Sequence, residues 1–182
     1  MNSSAPDRAA TEITVRRYDA SEWPRLRELR LAALRDSPLA FLETYEFAAG
    51  RPDSYWQERA RRATTGDDLV MFIAEQSGRW IGMAGGQQVG DPPDRVDVVS
   101  VWVDPAHRGG PAARALLAAV LDWAAGAPAV GLWVHEDNDR ARAFYRRRGF
   151  TETGRTAPYV VDPSRDQIEM ELTAVSRRPP RE

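Results

Sequence analysis

The chain of 182 residues contains no cysteine and no lysine. Without cysteine it has no disulfide framework, no thiolate nucleophile and no sulfur-bound metal site. Without lysine it cannot form the lysine-bearing phosphate loop of nucleotide hydrolases. All 25 basic residues are therefore arginine, which beside so much alanine indicates a coding bias more than a functional choice.

Long apolar runs and a strong net charge are also missing. No run approaches the ~20 apolar residues of a membrane span, and the opening residues MNSSAPDRAA lack the apolar centre of a signal peptide. A net charge of −2 gives no general attraction to nucleic acid or to membranes. We therefore expect a cytoplasmic protein that binds neither.

Hydrophobic periodicity predicts one mixed α/β (α+β) domain over residues 12–175, between flexible tails at 1–11 and 176–182. Strands are predicted over 13–18, 69–76, 80–89, 96–103, 129–134 and 167–175, with a further β region opening at FTETG. Helices are predicted over 22–37, 53–64, 112–125 and 137–149, while the connector 39–52 has no clean period. A helix links 96–103 to 129–134, so these two strands are expected to be parallel neighbours.

The segment Arg108-Gly109-Gly110-Pro111 stands between the most strongly β-forming run and an alanine-rich helix. A helix start exposes backbone amides and carries partial positive charge, so it attracts anions. Glycines in front of it let an oxygen approach the backbone closely. Taken alone, however, the segment is equally a turn followed by a helix.

Two motifs together are more specific. VDPAHRGGPAARALL (103–117) resembles, with one substitution, the V-x-P, R-G-x-G-x-G/A and A-L-L signature of the GNAT superfamily of acyl-CoA-dependent N-acyltransferases. LWVHEDNDRARAFYRRRGF (132–150) is similar to the strand, N-x-x-A-x-x-F/L-Y and G-F element of the same superfamily. The resemblance extends in element order over about residues 12–175. It implies a GNAT fold with six to seven strands, four helices and a V-shaped splay between strands 96–103 and 129–134.

The resemblance implies that acetyl-CoA is the co-substrate. Its pyrophosphate would bind the amides after Arg108, at residues 109–114, and its pantetheine arm would lie along strand 98–103. The implied cofactor-binding residues are Val101, Trp102, Val103, Arg108, Gly109, Gly110, Ala112, Ala113, Arg114, Asn138, Ala141 and Tyr145. Asn138 can cap its helix, bind the cofactor, or do both. One arginine of the basic helix 140–148 is expected at the 3′-phosphate.

The catalytic residues follow from the same resemblance. Relatives often place a glutamate six positions before the motif valine, and that position here is Asp97, a candidate base acting through water. An exposed carboxylate at a strand end explains Asp97 nearly as well. The Val101 amide would face the thioester oxygen. Tyr145 would protonate the departing thiolate, although a packed aromatic beside Phe144 is the alternative.

The acceptor is an amine that the sequence does not identify. The resemblance places it between the connector FLETYEF (41–47) and the loop 156–166. Glu43, Tyr45 and Glu46 are candidates for binding a cationic amine, or else ordinary surface residues. His107 and His135 are isolated and expected to be solvated, so no metal site is predicted. A monomer and a homodimer are both compatible with the sequence.

Pro111 departs from the pattern, because the superfamily usually has glycine there. Proline lacks an N–H, so one potential hydrogen-bond donor to the phosphate is missing. The loss of this donor is expected to weaken acetyl-CoA binding by about tenfold or more. It also suits a first helical position, which leaves the amides of Ala112, Ala113 and Arg114 free. Two rivals to an active enzyme therefore stay open: a non-catalytic acyl-CoA-binding or regulatory module, and a partner-binding domain without cofactor.

Overall fold

The structure, a computed structural model, describes residues 12–91 and 93–172. The tails predicted at 1–11 and 176–182 lie outside the described residues. The strands are β1 (Thr14–Arg17), β2 (Leu69–Gln76), β3 (Arg79–Gly90), β4 (Pro93–Val103), β5 (Ala129–His135), β6 (Phe150–Pro158) and β7 (Asp166–Leu172). The α-helices are α1 (Trp23–Asp36), α2 (Tyr45–Ala49), α3 (Asp53–Thr65), α4 (Ala112–Trp123) and α5 (Asp139–Arg146).

The seven strands form one sheet in the order β1-β2-β3-β4-β5-β7-β6. All neighbours are antiparallel except β4 and β5, which are parallel because α4 returns the chain between them. The predicted mixed sheet and the parallel pair are confirmed. The fifth helix, α2, was not predicted, because it lies in the connector 39–52, which has no clean period. Thr44 caps α2 by accepting a hydrogen bond from the Phe47 amide at 3.2 Å.

Helices cover both faces of the sheet. On one face α4 buries Leu116, Leu117 and Val120 against apolar side chains of the central strands and of β7. On the other face α1 and α3 form a second core, in which Trp56 is fully buried. Burying each large apolar side chain contributes roughly 1.5–3 kcal/mol to the free energy of unfolding. The two cores therefore fix the helices firmly on both faces of the sheet.

The parallel pair separates along its length. β4 and β5 are paired only from Arg95 to Asp97 on β4, opposite Ala129 to Gly131 on β5. Beyond Asp97 the two strands diverge, which confirms the predicted splay. The divergence opens a slot through the sheet at the end where α4 and α5 begin.

A bulge in β4 accompanies the separation. The β3 register pairs Trp102 with Met83 and Val99 with Gly85, so Ser100 and Val101 together face Ala84. Ser100 has a φ of 56°, an uncommon conformation for a residue with a side chain. The bulge turns the β4 backbone at the point where the slot opens.

Candidate active site

A cavity of about 1290 Å³ occupies the slot between β4 and β5 and continues under α3. At one end it is lined by Arg108, Gly109 and Gly110 and by the cavity-facing side of α5. In the middle it follows β4 from Asp97 to Val103. At the far end, Tyr18, Tyr55 and Arg59 line it. One continuous space therefore joins the glycine loop to the surface beneath α3.

The glycine loop presents backbone amides to this space. Gly109 has a φ of 81°, which glycine adopts without steric cost. The first α4 hydrogen bond runs from the Ala115 amide to the Pro111 carbonyl at 2.9 Å. Among the described residues no backbone carbonyl accepts from the amides of Gly109, Gly110 or 112–114. These five donors are the free amides expected at a helix start.

Pro111 lies immediately before α4, with φ −77° and ψ −15°. This is helical backbone, which the proline ring favours. Pro111 therefore takes a helical conformation without an N–H, and the amides of Ala112, Ala113 and Arg114 follow it.

The Arg108 side chain turns back into the protein. Its Nε donates to the Val103 carbonyl at 2.9 Å, and its Nη2 bonds the Asp36 carboxylate. Trp102 Nε1 donates to the same carboxylate at 2.8 Å. Asp36, at the end of α1, thus ties the end of β4 to the glycine loop, and Arg108 holds the loop in shape.

α5 supplies the opposite wall of the slot. Asn138 caps the helix by accepting from the Ala141 amide at 3.1 Å, so the capping role predicted for it is present. Asn138, Ala141 and Tyr145 all line the cavity. Tyr145 packs edge-on against Phe150 with ring centroids 5.6 Å apart, and burial raises the pKa of its hydroxyl well above the usual range. Tyr145 is therefore both a packed aromatic and a protonated hydroxyl at neutral pH.

Asp97 lines the cavity but is not free. Arg95 Nε bonds its carboxylate, and Arg95 Nη1 bonds the buried carboxylate of Glu169. Glu169 also accepts from Thr153 Oγ1 and from Arg155 Nε, each at 2.6 Å. Burial raises the pKa of Asp97, and its bond to Arg95 partly offsets that rise. Asp97 is thus held in place by a network that spans β4, β6 and β7.

The basic residues of α5 and the turn after it divide into two groups. Arg142 and Arg146 are paired with Glu152. Arg140, Arg147 and Arg148 line the cavity and form no ion pair within the described residues. The Arg148 Nε is buried and has no hydrogen-bond partner among the residues that the structure describes. An unpaired, partly buried guanidinium of this kind suits a phosphate.

The predicted acceptor residues do not themselves line the cavity, although Glu43 contacts two arginines that do. Glu43 bonds the buried Arg30 through Nη2 at 2.6 Å and lies 3.6 Å from Arg59. Tyr45 accepts a hydrogen bond from Arg35, and Glu46 is exposed on α2. Of the predicted cofactor and catalytic residues, all except Ala112 and Arg114 line the cavity, whereas Glu43, Tyr45 and Glu46 do not.

Two aromatic rings that the sequence does not assign to the site, those of His135 and Tyr159, also line the cavity. His135 is only 4% exposed, so the expectation of a solvated histidine is wrong. Its Nδ1 accepts from the Asp137 amide at 3.1 Å, and its ring packs edge-on against Tyr159. The Tyr159 hydroxyl donates to the Phe41 carbonyl at 2.6 Å. This bond joins the loop after β6 to the connector after α1, a contact that no local pattern indicates.

Comparison with known proteins agrees with this geometry. The family model described as the acetyltransferase (GNAT) family matches residues 23–150, which include both motifs and the whole slot. The chain belongs to this GNAT acetyltransferase family. Within residues 12–91 and 93–172, no helix is long and apolar enough to cross a membrane, and no three potential metal-ligating side chains cluster together.

Two mycobacterial relatives are similar in sequence. The N-alpha-acetyltransferase RimI of Mycobacterium tuberculosis is 42% identical over 82 residues, which are 44% of this chain and 51% of RimI. The Probable N-acetyltransferase Rv2775 of the same organism is 28% identical over 149 residues, covering 80% of this chain and 84% of that protein. The matched segment thus spans about half the length of RimI.

Solved structures share the fold of this GNAT protein. A GNAT acetyltransferase from Streptococcus pneumoniae aligns with a TM-score of 0.72 at 15% identity, over 88% of this chain and 98% of that one. The spermidine N-acetyltransferase of Vibrio cholerae, solved with CoA and spermine, aligns with a TM-score of 0.71 at 17% identity, over 89% and 95%.

Proposed function

We propose that this GNAT protein is an acetyl-CoA-dependent N-acetyltransferase that acetylates a primary amine by direct attack in a ternary complex. The observation that carries the proposal is the continuous cavity, which joins Gly109, Gly110 and Ala113, whose amides are free, to Asp97, Val101 and Tyr145. A thioester and an amine can both be present in such a space. The N-acetyltransferase names of RimI and Rv2775 support the same reaction class.

The residues present fit acetyl-CoA. Five free amides at 109, 110 and 112–114 match the several acceptor oxygens of a pyrophosphate. The β4 edge over Val101, Trp102 and Val103 is released from β5, so an extended pantetheine arm can lie beside it. Arg140, Arg147 and Arg148 are the arginines available to the 3′-phosphate. CoA in the Vibrio cholerae structure supports the same ligand for this fold.

The chain's own residues supply the proton transfers. A protonated amine has no lone pair, so its proton must pass to Asp97, through water, before attack. The amine nitrogen then bonds the carbonyl carbon, and the Val101 amide in the bulge donates to the oxygen on which negative charge develops. When the carbon–sulfur bond breaks, the Tyr145 hydroxyl donates its proton to the thiolate, and the second proton that the new amide nitrogen loses returns to the Tyr145 oxygen. The products are an amide and free CoA.

The experiment is an assay for free thiol with acetyl-CoA and a panel of amines, with acetylated product quantified by mass spectrometry. We expect equal amounts of CoA and acetylated amine. Calorimetric titration with CoA measures binding independently of turnover. CoA binding without product from any amine would reject the catalytic part of the proposal and leave the ligand part standing.

A second candidate, a non-catalytic acyl-CoA-binding module, is favoured by one observation: the Asp97 carboxylate is engaged by Arg95. A base held in an ion pair accepts a proton less readily. Comparing the parent with Tyr145→Phe separates the two functions. Turnover that falls in the variant at unchanged CoA affinity supports the enzyme, whereas equal binding and no turnover in both supports the module.

A further inference from the structure

The end of the cavity beneath α3 carries chemistry that acetyl-CoA does not explain. Tyr18, Tyr55 and Arg59 line it, and we call these three residues the α3 subsite. They are separate from the glycine loop and from α5, where the cofactor residues lie. In an acetyltransferase with a continuous cavity, the part that the cofactor leaves open receives the acceptor. The inference below therefore rests on the proposed function.

Positive charge is in excess at this subsite. Glu43 is the carboxylate shared by Arg30, at 2.6 Å, and Arg59, at 3.6 Å. Two guanidinium groups thus share one carboxylate. Both arginines line the cavity, but Arg30 is only 5% exposed whereas the Arg59 side chain is 32% exposed, so Arg59 is the more accessible of the two.

Other charges near the subsite are already balanced. Arg62 bonds Asp68 at 2.8 Å, and Glu58 bonds Arg61 at 2.6 Å. Apart from Glu58, Asp97 is the only described carboxylate that lines the cavity, and Arg95 engages it. Both carboxylates that line the cavity within the described residues are therefore already paired with an arginine. Neither is free to bind a polycation.

Two hydroxyls beside Arg59 are ready to donate. The Tyr18 hydroxyl is buried and has no hydrogen-bond partner within the described residues. The Arg59 charge is close enough to lower the pKa of Tyr18, but burial outweighs it and raises that pKa to about 12, so the hydroxyl stays protonated. The Tyr55 hydroxyl accepts from Arg59 Nη1 at 3.0 Å, which leaves its own proton for a ligand.

We infer that the acceptor amine carries a carboxylate, which binds Arg59 together with the hydroxyls of Tyr18 and Tyr55. A carboxylate accepts from all three donors and balances the excess charge. A buried hydroxyl without a partner is costly, and this ligand removes that cost. Polyamines such as spermine are poor ligands here.

The test uses pairs of acceptors that differ only in one carboxylate. β-Alanine is compared with its amide, and γ-aminobutyrate with its amide, as free amino acids. The amidated peptides Ala-Glu-Ala and Ala-Gln-Ala provide the same contrast within a peptide, and spermine is the polycation. We expect kcat/KM to be at least tenfold higher for the carboxylate member of the preferred pair. The pair that shows the larger difference in kcat/KM tells whether the acceptor's carboxylate belongs to a free amino acid or to an acidic peptide.

Variants locate the effect. Tyr18→Phe and Arg59→Gln should each raise KM for the carboxylate acceptor about tenfold, and change KM for its amide less than twofold. Tyr18→Phe removes a hydroxyl without a partner, so its melting temperature should not fall. Arg79→Gln makes the same change of net charge at an exposed residue outside the cavity, and should leave the preference unchanged.

Binding is measured as well as turnover, by calorimetric titration of each acceptor into the protein saturated with CoA. Equal binding of both members of every pair, or tightest binding of spermine, would overturn the inference while the proposed function stands. Carboxylate-selective binding lost in Tyr18→Phe, with no turnover of any acceptor, would reject the enzyme and retain the subsite. Absence of binding by any amine would overturn the inference too.

Discussion

Arg30 Nη1 donates a hydrogen bond of 3.1 Å to Oγ of Ser100, the residue with positive φ in the β4 bulge. A non-glycine residue in this conformation costs on the order of 1–3 kcal/mol, and it persists where surrounding contacts fix it. Arg30 is fixed in turn by Glu43, whose Oε1 accepts from Arg30 Nε at 2.8 Å. The α1 helix and the connector thus support the bulge that presents Val101 to the cavity.

Glu43→Ala should destabilise the protein by about 3 kcal/mol, because it leaves Arg30 buried and Arg59 without a carboxylate partner. The matched control, Glu46→Ala, changes an exposed carboxylate in the same connector and should shift the free energy of unfolding by less than about 0.5 kcal/mol. Urea denaturation of both variants measures the difference. Equal effects would mean that Glu43 does not support the bulge.

Pro111→Ala should tighten CoA binding by about tenfold, since the helical backbone at Pro111 suits alanine and the substitution adds one amide donor. Pro105→Ala, in the turn before the glycine loop, is the control and should leave affinity unchanged. Calorimetry with CoA gives both dissociation constants. An unchanged value for Pro111→Ala would show that a donor at this position does not reach the phosphates.

Tyr145→Phe should lower kcat by about 10²- to 10⁴-fold, the usual contribution of a general acid, with CoA affinity nearly unchanged. The raised pKa of Tyr145 keeps the proton that the thiolate needs. Tyr45→Phe removes a hydroxyl outside the cavity and serves as the control. Steady-state kinetics and a parallel CoA titration measure kcat and CoA affinity for the parent and both variants. A kcat within twofold of the parent would remove Tyr145 from the proton transfer.

Asp97→Asn should lower kcat/KM and remove the acid limb of its pH profile. As the pH falls through the raised pKa of Asp97, the carboxylate gains a proton and can no longer accept one from the amine. The limb therefore lies above the pKa of ordinary aspartate, about 3.9. Asp97→Glu should restore part of the activity with a shifted limb. An identical profile in Asp97→Asn would place the base elsewhere.

Glu169 should make the fold sensitive to acid. Its hydrogen bond from Arg155, followed by those from Thr153 and Arg95, lowers the pKa of Glu169 to about 2. This stabilisation is complete above the unfolded pKa of about 4.3 and disappears as the pH falls toward 2. Glu169→Gln should flatten the pH dependence of the unfolding free energy in that window. Glu28→Gln, at an exposed position of α1, should leave the slope unchanged.

Local motifs predicted the parts of the site that local backbone builds. Gly109, Gly110 and the start of α4 form the free amides, and Asn138 caps α5, because these features depend on neighbours a few residues away. The splay follows from the element order. Pro111 lies in helical backbone, as its ring geometry favours.

Features that depend on distant partners were not predictable. Glu43 resembles a surface acid until Arg30, from α1, is packed against it. Arg108 resembles a phosphate ligand until Asp36 takes its guanidinium. His135 is buried because Tyr159, beyond β6, packs on its ring. The Ser100 bulge has no sequence signal, since serine at positive φ is held by a hydrogen bond from another element.

The most direct test of the proposed reaction is a single-turnover experiment with excess protein over acetyl-CoA and saturating carboxylate-bearing amine. Free CoA and acetylated amine are quantified from the same quenched samples. We predict that both rise together to one equivalent in the parent and rise at least a hundredfold more slowly in Tyr145→Phe. CoA release without acetylated amine, or equal rates in parent and variant, would contradict acetyl transfer in this cavity.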